Sequence, residues 1–377
     1  MQVMAWGTYD TGKPRIRLLH TGLQAAGVKL HRCHVNPWQG IEDKSQIRGL
    51  WKKIRILARW LLAYPRLVWK FLRARKPDVV LVGFPGLLDM LVVAPLARLR
   101  GVPLAWDMFM SLYDTVVEDR RLLQRKSLRA RLLYAVERFA IHRADLVFLD
   151  THAHARRVEN LFGLAQSSIG SVWVGAETEH FDRDRYPPSP PHAPGASLKV
   201  LFYGQFIPLH GIETIVRAAR MVSDRPIQWQ LVGSGQEEER IRHMLEEYRL
   251  PNVNWEPWVD YVDLPKRILA ADMCLGIFGT SEKAASVIPN KVFQVVAMGK
   301  PLVTRDSPAI REILEDNTPC VRLVPPGDPE ALASAVCEAL ENLPDKPCHE
   351  RWSKRLGAGM VGEQCAQLLR MRLGLEA

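Results

Sequence analysis

Short apolar runs recur along the first half of the chain, at Val3–Trp6, Val28–His31, Val79–Val82, Leu104–Trp106, Leu146–Leu149 and Ser171–Val174. Several are continuous rather than alternating, the pattern of parallel strands covered on both faces. Amphipathic stretches of helical period lie between them, at about 14–26, 44–75, 86–99, 120–142 and 152–162. Strand and helix in turn predict a parallel α/β sheet.

The pattern stops at Tyr186–Gly195, where five prolines forbid a helix or a central strand. It restarts with strand-like runs at Lys199–Tyr203, Ile227–Leu231, Val253–Trp255, Met273–Gly276, Pro301–Thr304 and Val321–Val324. Helical patterns cover Gly211–Val222, Gln236–Tyr248, Val262–Ala270, Lys291–Met298, Pro308–Leu314 and Pro329–Leu340. The expected organisation is a Rossmann-like domain over 1–185, a linker over 186–197, a second Rossmann-like domain over 198–349, and a terminal helix in 350–377 that returns to the first domain. Ligands of such sheets sit at the carboxyl ends of the strands, so chemistry is sought in the loops that follow them.

Composition narrows the class. The 377 residues suit two domains, and 47% apolar with 24% charged residues fits a globular chain. The six cysteines form no CxxC pair, which predicts incidental thiols rather than a zinc site or a disulfide framework. No signal peptide is expected at the start, and no apolar run is long enough to cross a bilayer. The net charge of +10 is uneven: residues 1–186 hold 30 Lys and Arg against 17 Asp and Glu, and the remainder is slightly acidic. The first half therefore predicts an anionic partner.

The second half carries the strongest chemical signal. In Leu201-Phe-Tyr-Gly-Gln-Phe-Ile-Pro-Leu-His-Gly-Ile-Glu a strand ends at Gly204 and a helix opens near Gly211, so backbone amides are offered to an anion. A second glycine turn, Gly233-Ser234-Gly235, follows the next strand. A third segment, Phe278 to Thr304, carries a polar loop into a helix at Pro289-Asn290-Lys291, with Gln294 one turn beyond Lys291. Lys291 can neutralise a diphosphate as a point charge, and Asn or Gln can bind hydroxyls.

In this order and spacing the three segments resemble the donor domain of glycosyltransferase family 4, which has the GT-B fold. The motifs that carry the likeness are the YGxFxPLxGIE opening and the IPNKVF helix. The resemblance implies retaining transfer from a nucleoside-diphosphate sugar to a hydroxyl acceptor, with no cofactor and no metal. It places Gly204, Gln205, His210 and Gly211 on the phosphate-binding loop. Gln205 and His210 stand where the family often has Arg and Lys, which leaves Lys291 as the cation on the diphosphate. It sets Gly233, Ser234 and Gly235 on the nucleotide side, Trp258 and Val259 near the base, and Glu282, Asn290 and Gln294 near the sugar and ribose. Gln294 replaces one of the family's paired glutamates.

In the first half, Gly7-Thr-Tyr-Asp-Thr-Gly-Lys-Pro fits a phosphate loop, but Pro14 replaces the metal-binding Ser or Thr and lacks an N–H. The resemblance instead lays Thr11, Gly12, Lys13 and Arg15 beside the acceptor or the sugar phosphate. Asp107, at the end of a strand, is the candidate catalytic carboxylate beside Lys291, with Ser111, Tyr113, Asp114 and His152 behind it. Glu177 is expected to tie the domains together. Asp182-Arg-Asp184 mimics a metal motif but lies beside the proline-rich stretch.

Residues 44–76 hold eleven Lys and Arg and no acid. Arg48, Lys52, Arg55, Arg59, Arg66 and Lys70 form one stripe at helical spacing, with Trp60 among the interfacial aromatics and Pro65 set to kink the helix. A basic amphipathic helix of this kind suits an anionic membrane surface. No nucleic-acid motif accompanies it. The expected protein is thus a cytoplasmic glycosyltransferase, peripheral on the inner membrane face, with a hydroxyl acceptor that is lipid-linked or at that surface. The alternatives are a non-catalytic membrane-associated partner or an epimerase or phosphorylase on the same fold.

Overall fold

The computed structural model describes residues 1–37, 50–187, 193, 195–314, 318–344, 347–349 and 356–375. Two units emerge, Met1–Gly175 with Gly357–Ala377, and Ala176–Leu356. In the first, β1 (Gln2–Gly7), α1 (Pro14–Ala25), β2 (Lys29–His34), α2 (Leu50–Arg73), β3 (Val79–Val82), α3 (Leu87–Leu99), β4 (Leu104–Phe109), α4 (Leu128–Ile141), β5 (Leu146–Leu149), α5 (His152–Phe162) and β6 (Gly170–Ser171) follow in turn. All pairings are parallel, in the order β2-β1-β3-β4-β5-β6. The strands β1, β3, β4 and β5 are almost wholly buried, as their unbroken apolar runs require.

The sheet is covered on both faces. Ala63, Leu67 and Phe71 of α2, Met90 and Val93 of α3, and Ala140 of α4 join one apolar cluster with Met4 and Trp6. Leu19 and Leu23 of α1 join the opposite one with Val3 and Val361. Local punctuation is as the residues dictate: Ser127 and Thr151 accept from the amides of Ala130 and His154 as N-caps, and Gly163 closes α5 at φ 64°.

In the second unit, β7 (Leu198–Tyr203), α6 (Ile212–Met221), β8 (Ile227–Val232), α7 (Glu238–Tyr248), β9 (Val253–Glu256), α8 (Leu264–Ala270), β10 (Met273–Leu275), α9 (Glu282–Ser286), α10 (Asn290–Ala297), β11 (Leu302–Arg305), β12 (Val321–Val324) and α11 (Pro329–Glu341) build a second parallel sheet, β12-β11-β10-β7-β8-β9. Chain order reverses between β7 and β10, and that switch point is where a doubly wound sheet opens a crevice. The terminal helix α12 (Ala358–Leu373) belongs to the first unit and packs on α1.

Several expectations change. The units part at Gly175, ahead of the proline-rich stretch. The segment that follows is held in the second unit, where Phe181 is fully buried and its ring lies 5.5 Å from that of Tyr261. Pro65 lies inside α2 without dividing it. The helix expected at Pro308–Leu314 is a single 3-10 turn, Ile310–Glu312. The cysteines are not all incidental: Cys320 and Cys348 form a disulfide with Cα atoms 5.9 Å apart. Among the described residues, no helix is long and apolar enough to cross a membrane.

Candidate functional site

The β7/β10 switch point gathers the second unit's chemistry. The strand β7 ends at Tyr203, and the next residue, Gly204, has φ +142°, a conformation that L side chains rarely adopt. A Cβ there would also stand 2.9 Å from Lys291 Nζ and 3.0 Å from His210 Cε1. The bare backbone is thus what lets the lysine and the histidine close on one point. The loop 204–206 is locked to the turn after β8: Phe206 N donates to Ser234 O at 2.9 Å, and Glu237 N returns to Phe206 O at 2.9 Å. Gly233 is required by space, since a Cβ would fall 1.9 Å from Gly204 O.

Lys291, in the first turn of α10, is buried, and its amine has no hydrogen-bond partner. Its nearest cushion is the Phe202 ring, 3.7 Å from Nζ to the centroid, and burial pushes its pKa well below that of an ordinary lysine. An amine kept in this state destabilises the fold unless an anion arrives to share its charge. The His210 ring packs edge-on to Phe202, and its Nδ1 donates to the Gln205 carbonyl. The Gln205 side chain is exposed.

Gln294 is buried and doubly engaged. Its Oε1 accepts from Tyr203 OH at 3.0 Å, and its Nε2 donates to Tyr261 OH at 3.4 Å. Tyr261 OH donates in turn to Glu177 Oε2 at 2.5 Å. This chain was not visible in the sequence, where Gln294 reads as a direct donor contact and Glu177 as a tie between domains. The Glu177–Tyr261 bond lies inside one unit. Arg305 was also missed: it is buried at the end of β11 and donates to the carbonyls of Gly279 and Ser281, fixing the loop after β10. That loop docks on the β7 loop, with Phe278 N on His210 O at 3.0 Å, and Gly211 opens α6. Asn290 is half-buried beside Lys291, whereas Glu282 is exposed at the start of α9. Trp258 is 65% exposed with its indole N–H on Asp260, and Val259 is half-buried.

The first unit corrects the expectations for Arg15 and Asp107. Arg15 is 1% exposed, and its guanidinium bonds both Asp107 oxygens, at 2.9 Å and 3.0 Å, and the carbonyls of Val172 and Trp173. Asp107 is wholly buried against it. Desolvation raises the Asp107 pKa against the pull of Arg15. The two form an internal ion pair under the sheet end, with neither side chain open to an acceptor. Thr11, Gly12 and Lys13 lie in an exposed turn, whose Gly12 amide donates to Asp10 and whose Gly12 carbonyl accepts from Arg17 at 2.6 Å.

Other candidates are engaged within the protein or exposed. Ser111 donates to Glu137, Asp114 accepts from Arg157, and Asp182 caps a 3-10 turn. His152 is exposed, while its neighbour His154 is buried on Asp150 at 2.6 Å. Among the described residues, no group of three or more His, Cys, Asp or Glu is placed to hold a metal ion.

Asp89, in the first turn of α3, accepts from Thr8 N at 2.8 Å, Thr8 Oγ1 at 3.0 Å and Tyr64 OH at 3.1 Å. It therefore ties the loop after β1 to α2, and burial pushes its pKa up to about 6. The outer face of α2 presents Leu61, Leu62, Trp69 and Leu72, each more than half exposed, among the exposed Arg59, Arg66 and Lys70. The guanidinium of Arg73 lies over the Trp69 ring at 4.4 Å. Trp60 is half-buried. Arg48, and the side chains of Lys52 and Arg55, lie outside the described residues.

Residues 197–342 match the family "Glycosyl transferases group 1", and residues 3–169 match the "Glycosyl transferase 4-like domain". The chain is a member of the group 1, GT4-like glycosyltransferase family. WcaL of Escherichia coli K12, assigned to colanic acid biosynthesis, is 28% identical over 202 residues, 52% of this chain and 47% of that one. TuaH of Bacillus subtilis 168, assigned to teichuronic acid biosynthesis, is 25% identical over 182 residues, 48% and 45% of the two chains. The chain therefore spans about half or less of the length of the curated relatives it matches. Among solved structures, sucrose-phosphate synthase from Thermosynechococcus elongatus superposes with TM-score 0.70 at 18% identity, covering 99% of each chain. Anabaena HepE in complex with UDP-glucose gives 0.64 at 14%, covering 98% of this chain and 99% of that one. These likenesses establish that this glycosyltransferase-family chain has the GT-B fold.

Proposed function

We propose that this chain is a retaining, metal-independent glycosyltransferase that takes a sugar from a nucleoside diphosphate, with UDP the first candidate, to a hydroxyl acceptor at an anionic membrane surface. The observation that carries the reading is Lys291: a buried, unpartnered amine at the switch point of the second sheet, beside the bare Gly204 backbone and the start of α6. A buried amine that holds its proton once a diphosphate arrives stabilises the leaving group where its charge develops. The N-terminal end of α6 adds to it. The Tyr203–Gln294–Tyr261–Glu177 chain positions α10, and hence Lys291, against β7. The departing phosphate can take the acceptor proton on the same face, so no strong protein base is needed.

The choice of UDP draws on the HepE complex, and polysaccharide assembly as a setting draws on the curated relatives. The membrane surface rests on α2, and a cytoplasmic location belongs to the same proposal. The Cys320–Cys348 disulfide is the observation that opposes a reducing compartment. The test is transfer of labelled glucose from UDP-glucose into a bacterial lipid extract, with and without EDTA. EDTA-resistant, donor-dependent product supports the reading. The absence of product from a panel of UDP-sugars would instead favour the non-catalytic partner.

A further inference from the structure

The first unit holds a cavity of about 510 Å3 beside the edge strand β2. Lys29, His31 and Arg32 of β2 line it, together with Lys70 of α2 and Arg75 just beyond that helix. Gln2 and Lys29, the first residues of their strands, also line it, so the cavity lies at the opposite end of the sheet from the loops that follow the strands.

No acidic residue lines the cavity. Four permanent cations and an imidazole around one concavity repel each other, and the buried Met4 and Cys33 in its wall reduce the screening between them. Protection of an edge strand by charge would account for Lys29, His31 and Arg32. It leaves unexplained why Lys70 and Arg75 converge on the same space from the helical layer.

We infer that this cavity binds a phosphate-bearing anion, the chemistry shared by a phospholipid headgroup and a soluble phosphate ester. Arginine forks suit phosphate oxygens, and a tetrahedral dianion offers enough acceptors for Arg32 and Arg75 together with Lys29 and Lys70. The lipid source rests on the membrane reading of α2, whose exposed Trp69 and Leu72 lie next to Lys70 in the chain. The soluble source does not, and neither depends on the donor site.

The experiment compares the full chain with Arg32→Gln/Arg75→Gln, two exposed side chains outside the donor site. Calorimetry uses inorganic phosphate and glycerol 3-phosphate. Flotation uses phosphatidylcholine vesicles with and without phosphatidic acid. We expect saturable binding of at least one phosphate probe, weakened tenfold or more in the double variant with an unchanged melting temperature. Binding of the soluble esters identifies a free phosphate site, and flotation on phosphatidic acid alone identifies a headgroup site. Trp69→Ser/Leu72→Ser separates the two surfaces, since it should weaken flotation and leave ester binding intact. Should the double variant melt early, each single variant carries the comparison. Absence of binding to every probe, or binding that the arginine variants leave unchanged, overturns the inference and returns these cations to edge protection. Loss of sugar transfer in other tests would leave this result standing.

Discussion

In the proposed reading Lys291 works against stability and for function. Its amine lies over Phe202 without a hydrogen-bond partner and with a depressed pKa. Lys291→Met keeps the length and removes the buried polar head, so the variant is expected to gain about 1–3 kcal/mol while losing diphosphate binding. The gain should shrink as pH rises towards about 10.4, because the unfolded lysine then also loses its proton and the folded-state cost disappears. Denaturant melts from pH 7 to 10 check this, and a variant less stable than the wild type at pH 7 would refute it. Asp89 has the opposite chemistry and the same logic. Its pKa is raised by burial from 3.8 to about 6, so the wild type loses stability as pH rises through that window, by an amount on the order of 2–3 kcal/mol. Asp89→Asn cannot ionise, so its deficit relative to the wild type should narrow between pH 4 and pH 7. Lys291 was legible in the sequence because its motif is local. The Arg15–Asp107 pair was not, because its partners are 92 residues apart and each alone looks like an open candidate, Arg15 beside the loop after the first strand and Asp107 at a strand end. Asp107→Asn should lower the melting temperature by several degrees, as breaking a buried pair does, rather than lower turnover alone.

At the level of elements, most strands follow directly from continuous apolar runs, because a doubly covered strand leaves no other pattern. The weak ones fail for the same reason. Ser171–Val174 reads as a strand, yet only Gly170–Ser171 pair, at the sheet edge, where the Trp173 amide turns to Gln364. The helix α9 was hidden in a polar loop because its five residues are too few for a period to show. The sequence predicts a terminal helix that returns to the first domain, but not the close packing of α12 on α1. That packing depends on Gly22 facing Gly362: a Cβ on Gly22 would fall 2.1 Å from Ala358 O, and one on Gly362 1.9 Å from the Gly22 carbonyl. Gly22→Ala is therefore expected to cost at least about 1–3 kcal/mol despite its better helix propensity, and calorimetric melting would detect it.

For the whole molecule, two Rossmann-like halves were legible from strand–helix alternation repeated on either side of a proline-rich break. The boundary was misplaced because contacts, not composition, set it: Ala176 N bonds Leu356 O at 2.7 Å, and Phe181 is buried well before the prolines begin. The Cys320–Cys348 link was not legible either. Nothing in a spacing of 28 residues announces a pair until the fold brings the two Cα atoms together. Opening it by Cys320→Ser/Cys348→Ser should cost about 3–4 kcal/mol on a chain-entropy estimate and should lower the melting of the second unit.

The central claim is that Lys291 makes the end of β7 a nucleoside-diphosphate site without a metal. Titration calorimetry of UDP into the wild type and into Lys291→Met, each in EDTA, tests it directly. The account predicts saturable binding to the wild type that is unaffected by EDTA, and a loss of at least about tenfold in the variant, or about 1.4 kcal/mol. Equal UDP affinity in the two proteins, or binding to the wild type only when Mg2+ is present, would contradict it.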